Sequence, residues 1–229
     1  MRLRTDTVIL ATMLATACTT AGPAGPIERE HHAIERGEAT RARVEVNMSA
    51  GDLTLTSGAM QLFDGEFEFN VPALKPVVAY TVDGTNGVLK VSQASASGNY
   101  ENKWQLRLDE MTPVELHVTL NAGDAQLALG RMNLQSVAVQ LGAGDLTLDL
   151  RGTPAGSYPV SVNAGAGDTT IQLPASAGIS VRTIGLIGDT SVTGLEKRDD
   201  RWINPRATSA ATIDVRVQHA IGDLRLVAE

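Results

Sequence analysis

The sequence predicts an all-β fold of stacked rungs, a β-solenoid, on three observations. First, the pair Gly-Asp recurs six times at one place in one local pattern: Gly51-Asp52, Gly123-Asp124, Gly144-Asp145, Gly167-Asp168, Gly188-Asp189 and Gly222-Asp223. Second, the spacings from the second copy to the fifth are 21, 23 and 21 residues, and the sixth follows after 34. Third, each pair divides two short runs of alternating apolar residues, as in Ser136–Leu141 before Gly142-Ala-Gly-Asp145 and Leu146–Leu150 after it. A fixed period of about twenty residues is the mark of a repeat architecture, and period-two alternation is the mark of a half-buried strand. A rung of this length fits two strands and two corners, with neighbouring rungs stacked about 4.8 Å apart. The same pattern also fits a β-sandwich in which each Gly-Asp is the tip of a hairpin, with Leu141 facing Leu146 and Val139 facing Leu148. The regular period favours the solenoid.

The chain begins with features of export. Arg2 and Arg4 precede an apolar stretch from Val8 to Ala17 that is too short to span a bilayer. The stretch ends in Leu14-Ala-Thr-Ala-Cys18, which resembles a bacterial lipobox. Residues 1–17 are therefore expected to be a signal peptide, with a lipid on Cys18 as the membrane contact. Cys18 is the only cysteine, so no internal disulfide is possible. Thr19 is not the Asp that holds many lipoproteins at an inner membrane, so a host with two membranes would carry the protein in the outer one.

Residues 18–36 read as a tether. Thr19 to Pro26 is small and rich in Pro and Gly, and such segments are extended and mobile. Ile27 to Arg36 is charged, with an Ile27/Ile34 spacing that allows a short helix. The folded domain is expected over 37–229, less regular over 37–113 and regular over 114–229. In the first part Val44, Val46 and Met48 alternate with polar residues, and Leu53 and Leu55 follow the first Gly-Asp. All three phenylalanines, Phe63, Phe67 and Phe69, cluster here. Val77–Val82, a corner at 83–87 and Val88–Val91 look like one more strand–corner–strand unit. From Val114 onward Leu116, Val118 and Leu120 share a face. After later corners Leu146/Leu148/Leu150, Thr169/Ile171/Leu173 and Leu224/Leu226/Ala228 hold matching positions. The polar insert Lys197–Pro205 accounts for the long last interval and maps to a loop beside the array. Leu224–Glu229 closes the sequence as a strand, so self-association through a C-terminal strand edge, or cover by the insert, is expected.

Composition limits function. The formal charge is −7, which argues against a nucleic-acid binder built on phosphate neutralisation. Aromatic residues make up 3%, so the core must be aliphatic and thin-layered. Six aspartates in a file could suggest a Ca²⁺ ladder, because calcium takes oxygen ligands. One carboxylate per rung without companions favours a structural corner instead: Gly supplies positive φ and Asp accepts backbone N–H bonds. No metal, cofactor or catalytic residue is expected. His31 and His32 lie among Glu28, Glu30 and Glu35, a loose set with no fixed geometry. His117 and His219 have no recognisable partner. Asp199-Asp200 and Asp109-Glu110 read as solvated loop carboxylates.

Several segments together resemble a known family. Gly58-Ala-Met-Gln-Leu-Phe63, Glu66–Val71, Lys75–Tyr80, Gly87–Gln93 and Asn102–Leu108, with the corners at Asn121, Gly142 and Ala220, are similar to the bacterial toast-rack domain. They also resemble the C-terminal regions of LiaF-like envelope-stress proteins and the putative-adhesin β-solenoids. The likeness covers roughly residues 37–229. It implies an extracytoplasmic, all-β, solenoid-like domain without established catalytic residues. The expected role is binding or assembly, with an envelope protein or a glycan as partner. A regulatory partner of an envelope sensor and a carbohydrate-active enzyme on the same fold are the alternatives. LiaF-like proteins carry transmembrane helices, which this sequence lacks.

Overall fold

The strands on either side of each Gly-Asp corner belong to different sheets, which decides between the two folds the sequence allowed. The computed structural model describes residues 24–96, 100–185 and 187–229. The expected signal peptide and Cys18 lie outside them. In chain order the strands are β1 (Glu28–Ile34), β2 (Arg41–Ala50), β3 (Asp52–Ser57), β4 (Phe63–Phe69), β5 (Val77–Asp83), β6 (Asn86–Ser92), β7 (Asn102–Leu108), β8 (Val114–Ala122), β9 (Ala125–Ala128) and β10 (Leu134–Ala143). They continue with β11 (Leu146–Asp149), β12 (Tyr158–Ala166), β13 (Thr169–Leu173), β14 (Gly178–Ile184), β15 (Thr190–Thr193), β16 (Glu196–Arg198), β17 (Arg201–Ile203), β18 (Thr212–Ile221) and β19 (Leu224–Ala228).

One sheet has nine strands in the order β1-β4-β7-β3-β9-β11-β13-β19-β15, and the other has ten in the order β16-β17-β14-β18-β12-β10-β8-β2-β6-β5. Each repeat places a longer strand in the ten-stranded sheet, turns at Gly-Asp, and places a shorter strand in the nine-stranded sheet. Neighbouring repeats pair in parallel. A hairpin tip would have joined neighbours in one sheet, so the sandwich alternative falls.

The alternation read from sequence becomes rows of side chains across the stack. Val46, Val118, Val139, Val162 and Val217 are in register on the inner face of one sheet. Leu55, Leu127, Leu148, Ile171 and Leu226 form the facing row on the other. All ten are buried. Each such side chain contributes about 1.5–3 kcal/mol by leaving water, and identical rows let that gain repeat without new shapes.

The order of the rungs in space is not their order in sequence. The last repeat, β18–β19, is inserted between β12–β13 and β14–β15. The insert Lys197–Pro205 makes this possible. It folds as the β16–β17 hairpin, antiparallel against β14, and extends the ten-stranded sheet past the last rung. Trp202 packs on the core there, and the Asn204 side chain donates to the Ala175 and Ala177 carbonyls at 2.7 Å each.

Three expectations are corrected. The segment read as tether and short helix contains β1, antiparallel to β4. Its charges find partners on and beside β4: Arg29 bonds Glu68 at 2.7 Å and His31 bonds Asp64 at 3.1 Å across the pairing, while Lys75, beyond β4, bonds Glu30 at 2.5 Å. Residues 77–91 form an antiparallel hairpin within one sheet, β5–β6, and not a strand–corner–strand rung. The C-terminal strand β19 is not an edge, because β13 and β15 flank it. The edge at that end of the nine-stranded sheet is β15.

Candidate functional site

The six corners stack into one file, in the spatial order Asp52, Asp124, Asp145, Asp168, Asp223, Asp189. Their glycines have φ between 119° and 150°, a region side chains rarely adopt. A second constraint is independent of φ. A Cβ on Gly123 would strike the Gly51 carbonyl oxygen, one on Gly144 the Gly123 oxygen, and one on Gly167 the Gly144 oxygen. Five of these glycines, all but Gly188 at the end of the file, donate their N–H to the carbonyl of the residue before the next corner, as Gly123 does to Ala143 and Gly144 to Ala166, both at 2.8 Å.

The aspartates make a ladder between rungs. The backbone N–H of Asp145 donates to Asp124 Oδ1 at 2.9 Å, Asp168 to Asp145 at 2.8 Å, Asp223 to Asp168 at 2.9 Å and Asp189 to Asp223 at 3.0 Å. The carboxylate thus accepts a backbone N–H, and the donor belongs to the neighbouring rung. Among the described residues, no group of three or more His, Cys, Asp or Glu is placed to hold a metal.

Two departures were not legible from the repeat. At the rung made by β6 and β7 there is no Gly-Asp. Asn102 stands level with Gly51, and its side-chain amide donates to the Ala50 carbonyl at 2.5 Å and to Gln93 Oε1 at 2.9 Å. His219 occupies the inward row of Met48, Leu120, Leu141 and Ala164. It is 1% exposed, bonds the Gly167 carbonyl through Nε2 at 2.8 Å, and leaves Nδ1 buried without a partner. Its position three residues before Gly222, where other repeats carry an apolar residue, is the signal that could have found it. His117 points outward, as expected.

The outer surface holds shallow grooves. Most have charged walls: Glu35, Arg36, Asp109 and Glu110 line one, Arg41, Arg43, Glu45 and Glu115 another, and Asp214 and Arg216 a third. One near the corners, of about 520 Å³, has no Lys, Arg, Asp or Glu in its lining. Charged residues elsewhere are mostly paired. Burial would raise the Asp64 carboxyl, but hydrogen bonds from Arg107 and His31 hold it below its ordinary value. The Lys75 hydrogen bond holds Glu30 low, and the Arg151 hydrogen bond holds Asp149 low.

Two facing sheets of parallel rungs, closed by backbone ladders at glycine corners, define a stacked-rung all-β domain. The family model of the N-terminal domain of toast_rack matches residues 24–172, and the chain belongs to that family. Strands β14 to β19 lie beyond the matched region; β14–β15 and β18–β19 continue the same rungs, and β16–β17 is the hairpin of the insert. The fold is similar to a crystal structure named as a putative cell adhesion protein from Clostridium sporogenes, with a TM-score of 0.79 at 24% identity. That match covers 89% of this chain and 100% of the other. A putative adhesin from Bacteroides fragilis aligns over 89% of this chain and 98% of its own at 11% identity, with a TM-score of 0.30. A putative lipid binding protein from Parabacteroides distasonis aligns over 89% and 94% at 11% identity, with a TM-score of 0.28. At those scores neither bears on the fold. No curated relative matches the chain.

Proposed function

We propose that this protein is a non-catalytic, adhesin-like binding protein of the bacterial cell envelope, anchored by lipid at Cys18 and facing outward from the membrane. The observation that carries the reading is the division of labour in the rungs. The inward rows of the regular stack are mainly aliphatic, while the outward rows repeat polar residues in register across the sheets. Such a scaffold offers rigid, wide surface to a partner. The name of the similar structure from Clostridium sporogenes supports the same reading. The anchor rests on the small residues before Cys18 and on the absence of any other cysteine in the sequence. In a host with two membranes the location is the outer one.

Fractionation and surface labelling test this. Palmitate should label the native protein, C18S should abolish the label and release the chain from membranes, and protease added to intact cells should degrade the wild type. An unlabelled protein found in the cytoplasm would overturn the location. Failure of the purified chain to bind envelope fragments or cells of any kind would overturn the binding role.

A further inference from the structure

The uncharged groove stands apart from the others, and its construction is regular. Thr119, Gln140, Asn163 and Gln218 sit four residues before the glycine of their corners, on β8, β10, β12 and β18. The pairings put them in one row across four neighbouring strands. Two residues further along, Gly142 and Gly165 leave the floor without side chains, and both are held to glycine because a Cβ would strike the carbonyl oxygen of the adjacent strand. The row and the floor together bound the groove of about 520 Å³, within the size range of ligand sites. None of the four side chains bonds another described residue, so their donors and acceptors are open to a ligand.

Resting on the binding role argued above, we propose that this groove binds a linear, uncharged glycan laid across the strands. Three features fix the ligand class. An amide carries two donors and an acceptor, and a hydroxyl carries one donor and two acceptors, so the row matches hydroxyl and acetamido groups on either count. The lining has no Lys, Arg, Asp or Glu in a chain with 45 such residues, which offers no fixed charge to compensate an ionic polymer. Neighbouring strands are about 4.8 Å apart, close to the advance of one ring in an extended β-linked chain, so successive sugars meet successive side chains. Four strands span about 14 Å between the first and last, so a single sugar would engage one position and an oligomer several. Without an aromatic platform in the groove, each sugar is held weakly, and affinity comes from length.

Isothermal titration of the purified full chain with β-1,4-linked hexamers and dimers of N-acetylglucosamine and of glucose tests the proposal, with oligogalacturonate as the acidic control. The hexamer of one neutral series should bind, and more tightly than its dimer, while oligogalacturonate should not. Q140A/N163A should weaken the hexamer by about tenfold or more, the loss of two hydrogen-bonding side chains, with an unchanged melting temperature. T147A/T170A, on the outer face of the other sheet, should leave binding unchanged. No binding of any neutral hexamer, equal binding of Q140A/N163A, or preference for the acidic polymer would overturn the groove. Sedimentation with envelope fragments separates the two readings. If wild type and Q140A/N163A pellet alike, the binding role stands and the glycan groove fails. If neither pellets, the binding role fails with it.

Discussion

The middle of the stack and one end of it are built from different materials. Between β8 and β13 the interior is mostly Val, Leu and Ile in matched rows, and the rungs pair in parallel. Around β1, β4 and β7 the pairing is antiparallel and the interior is aromatic. Trp104 and Phe67 meet edge to face at 5.3 Å between ring centres, and His32 meets Phe67 in the same way at 5.7 Å. A repeated rung needs side chains of one size, because each row must fit the row above and below. The terminal rungs have no next row to fit, and large rings there cover the end of the aliphatic column. The corners differ in the same way: along the regular stack each aspartate carboxylate accepts the N–H of the next aspartate beside a bare glycine, while Asn102 stands at the β6–β7 rung.

Four changes break or sharpen that contrast. The largest effect is expected at a stacked corner. Gly144→Val meets both a φ of 128° and an adjacent backbone carbonyl that cannot move without shifting the ladder. We expect a loss of about 5 kcal/mol, the sum of backbone strain and overpacking, read as failure to accumulate folded protein. Gly84→Ala is the comparison. Gly84 also has positive φ, 58°, but open space around it, so urea denaturation should show only about 1 kcal/mol lost. A near-equal cost at the two sites would mean that φ alone governs the corners.

At the aromatic end, Phe67→Ala should cost about 3–5 kcal/mol by urea denaturation, from the cavity and the lost ring contacts. Phe67→Leu should recover much of this if the end needs bulk more than ring geometry. Smaller again is the aspartate ladder. Asp145→Ala removes the acceptor of the Asp168 N–H and should cost about 0.5–2 kcal/mol, as loss of a side-chain cap does. Asp189 ends the ladder and accepts no such bond among the described residues, so Asp189→Ala should stay within about 0.5 kcal/mol. Calcium should not change the melting temperature of either variant or of the wild type.

The fourth contrast is with pH. Glu30 and Asp64, which tie β1 and β4 to their surroundings, and Asp149, in the regular stack, all have carboxyls held below their ordinary values of 4.5, 3.8 and 3.8. The unfolded chain then binds more protons than the folded one as acidity rises. Their stabilisation is complete above those ordinary values and is lost as pH falls below them. A melting curve followed from pH 6 to pH 3 should therefore decline at the acid end. Glu30→Gln should flatten part of that decline if the β1 contacts contribute to it.

Much of the stack was legible in the sequence because its cause is local. A Gly-Asp corner and period-two alternation specify the rung, the inward rows and the parallel register. What was missed depends on partners distant in the chain. Glu28–Ile34 looks like a charged tether until Glu68, Asp64 and Lys75 are beside it. The hairpin at 77–91 has the same alternation as a rung, and only pairing tells them apart. The placing of β18–β19 inside the stack depends on the length and folding of the insert, which the period does not encode. The polar row at Thr119, Gln140, Asn163 and Gln218 was readable by aligning the repeats on their glycines. The bare floor beside it required the stack.

The inserted rung is the most specific claim about this architecture, and disulfide formation tests it directly. Thr170 pairs with Arg225 on the neighbouring strand, and Arg225 in turn separates Thr170 from Ser191. In a C18S background, T170C/R225C should form an intramolecular disulfide on mild oxidation, since adjacent parallel strands bring the Cα atoms within the usual bridging range of about 4.4–6.8 Å. T170C/S191C should remain reduced, because a whole strand lies between the two. The reverse outcome, with T170C/S191C bridged and T170C/R225C not, would mean that the rungs stack in sequence order and would contradict the account.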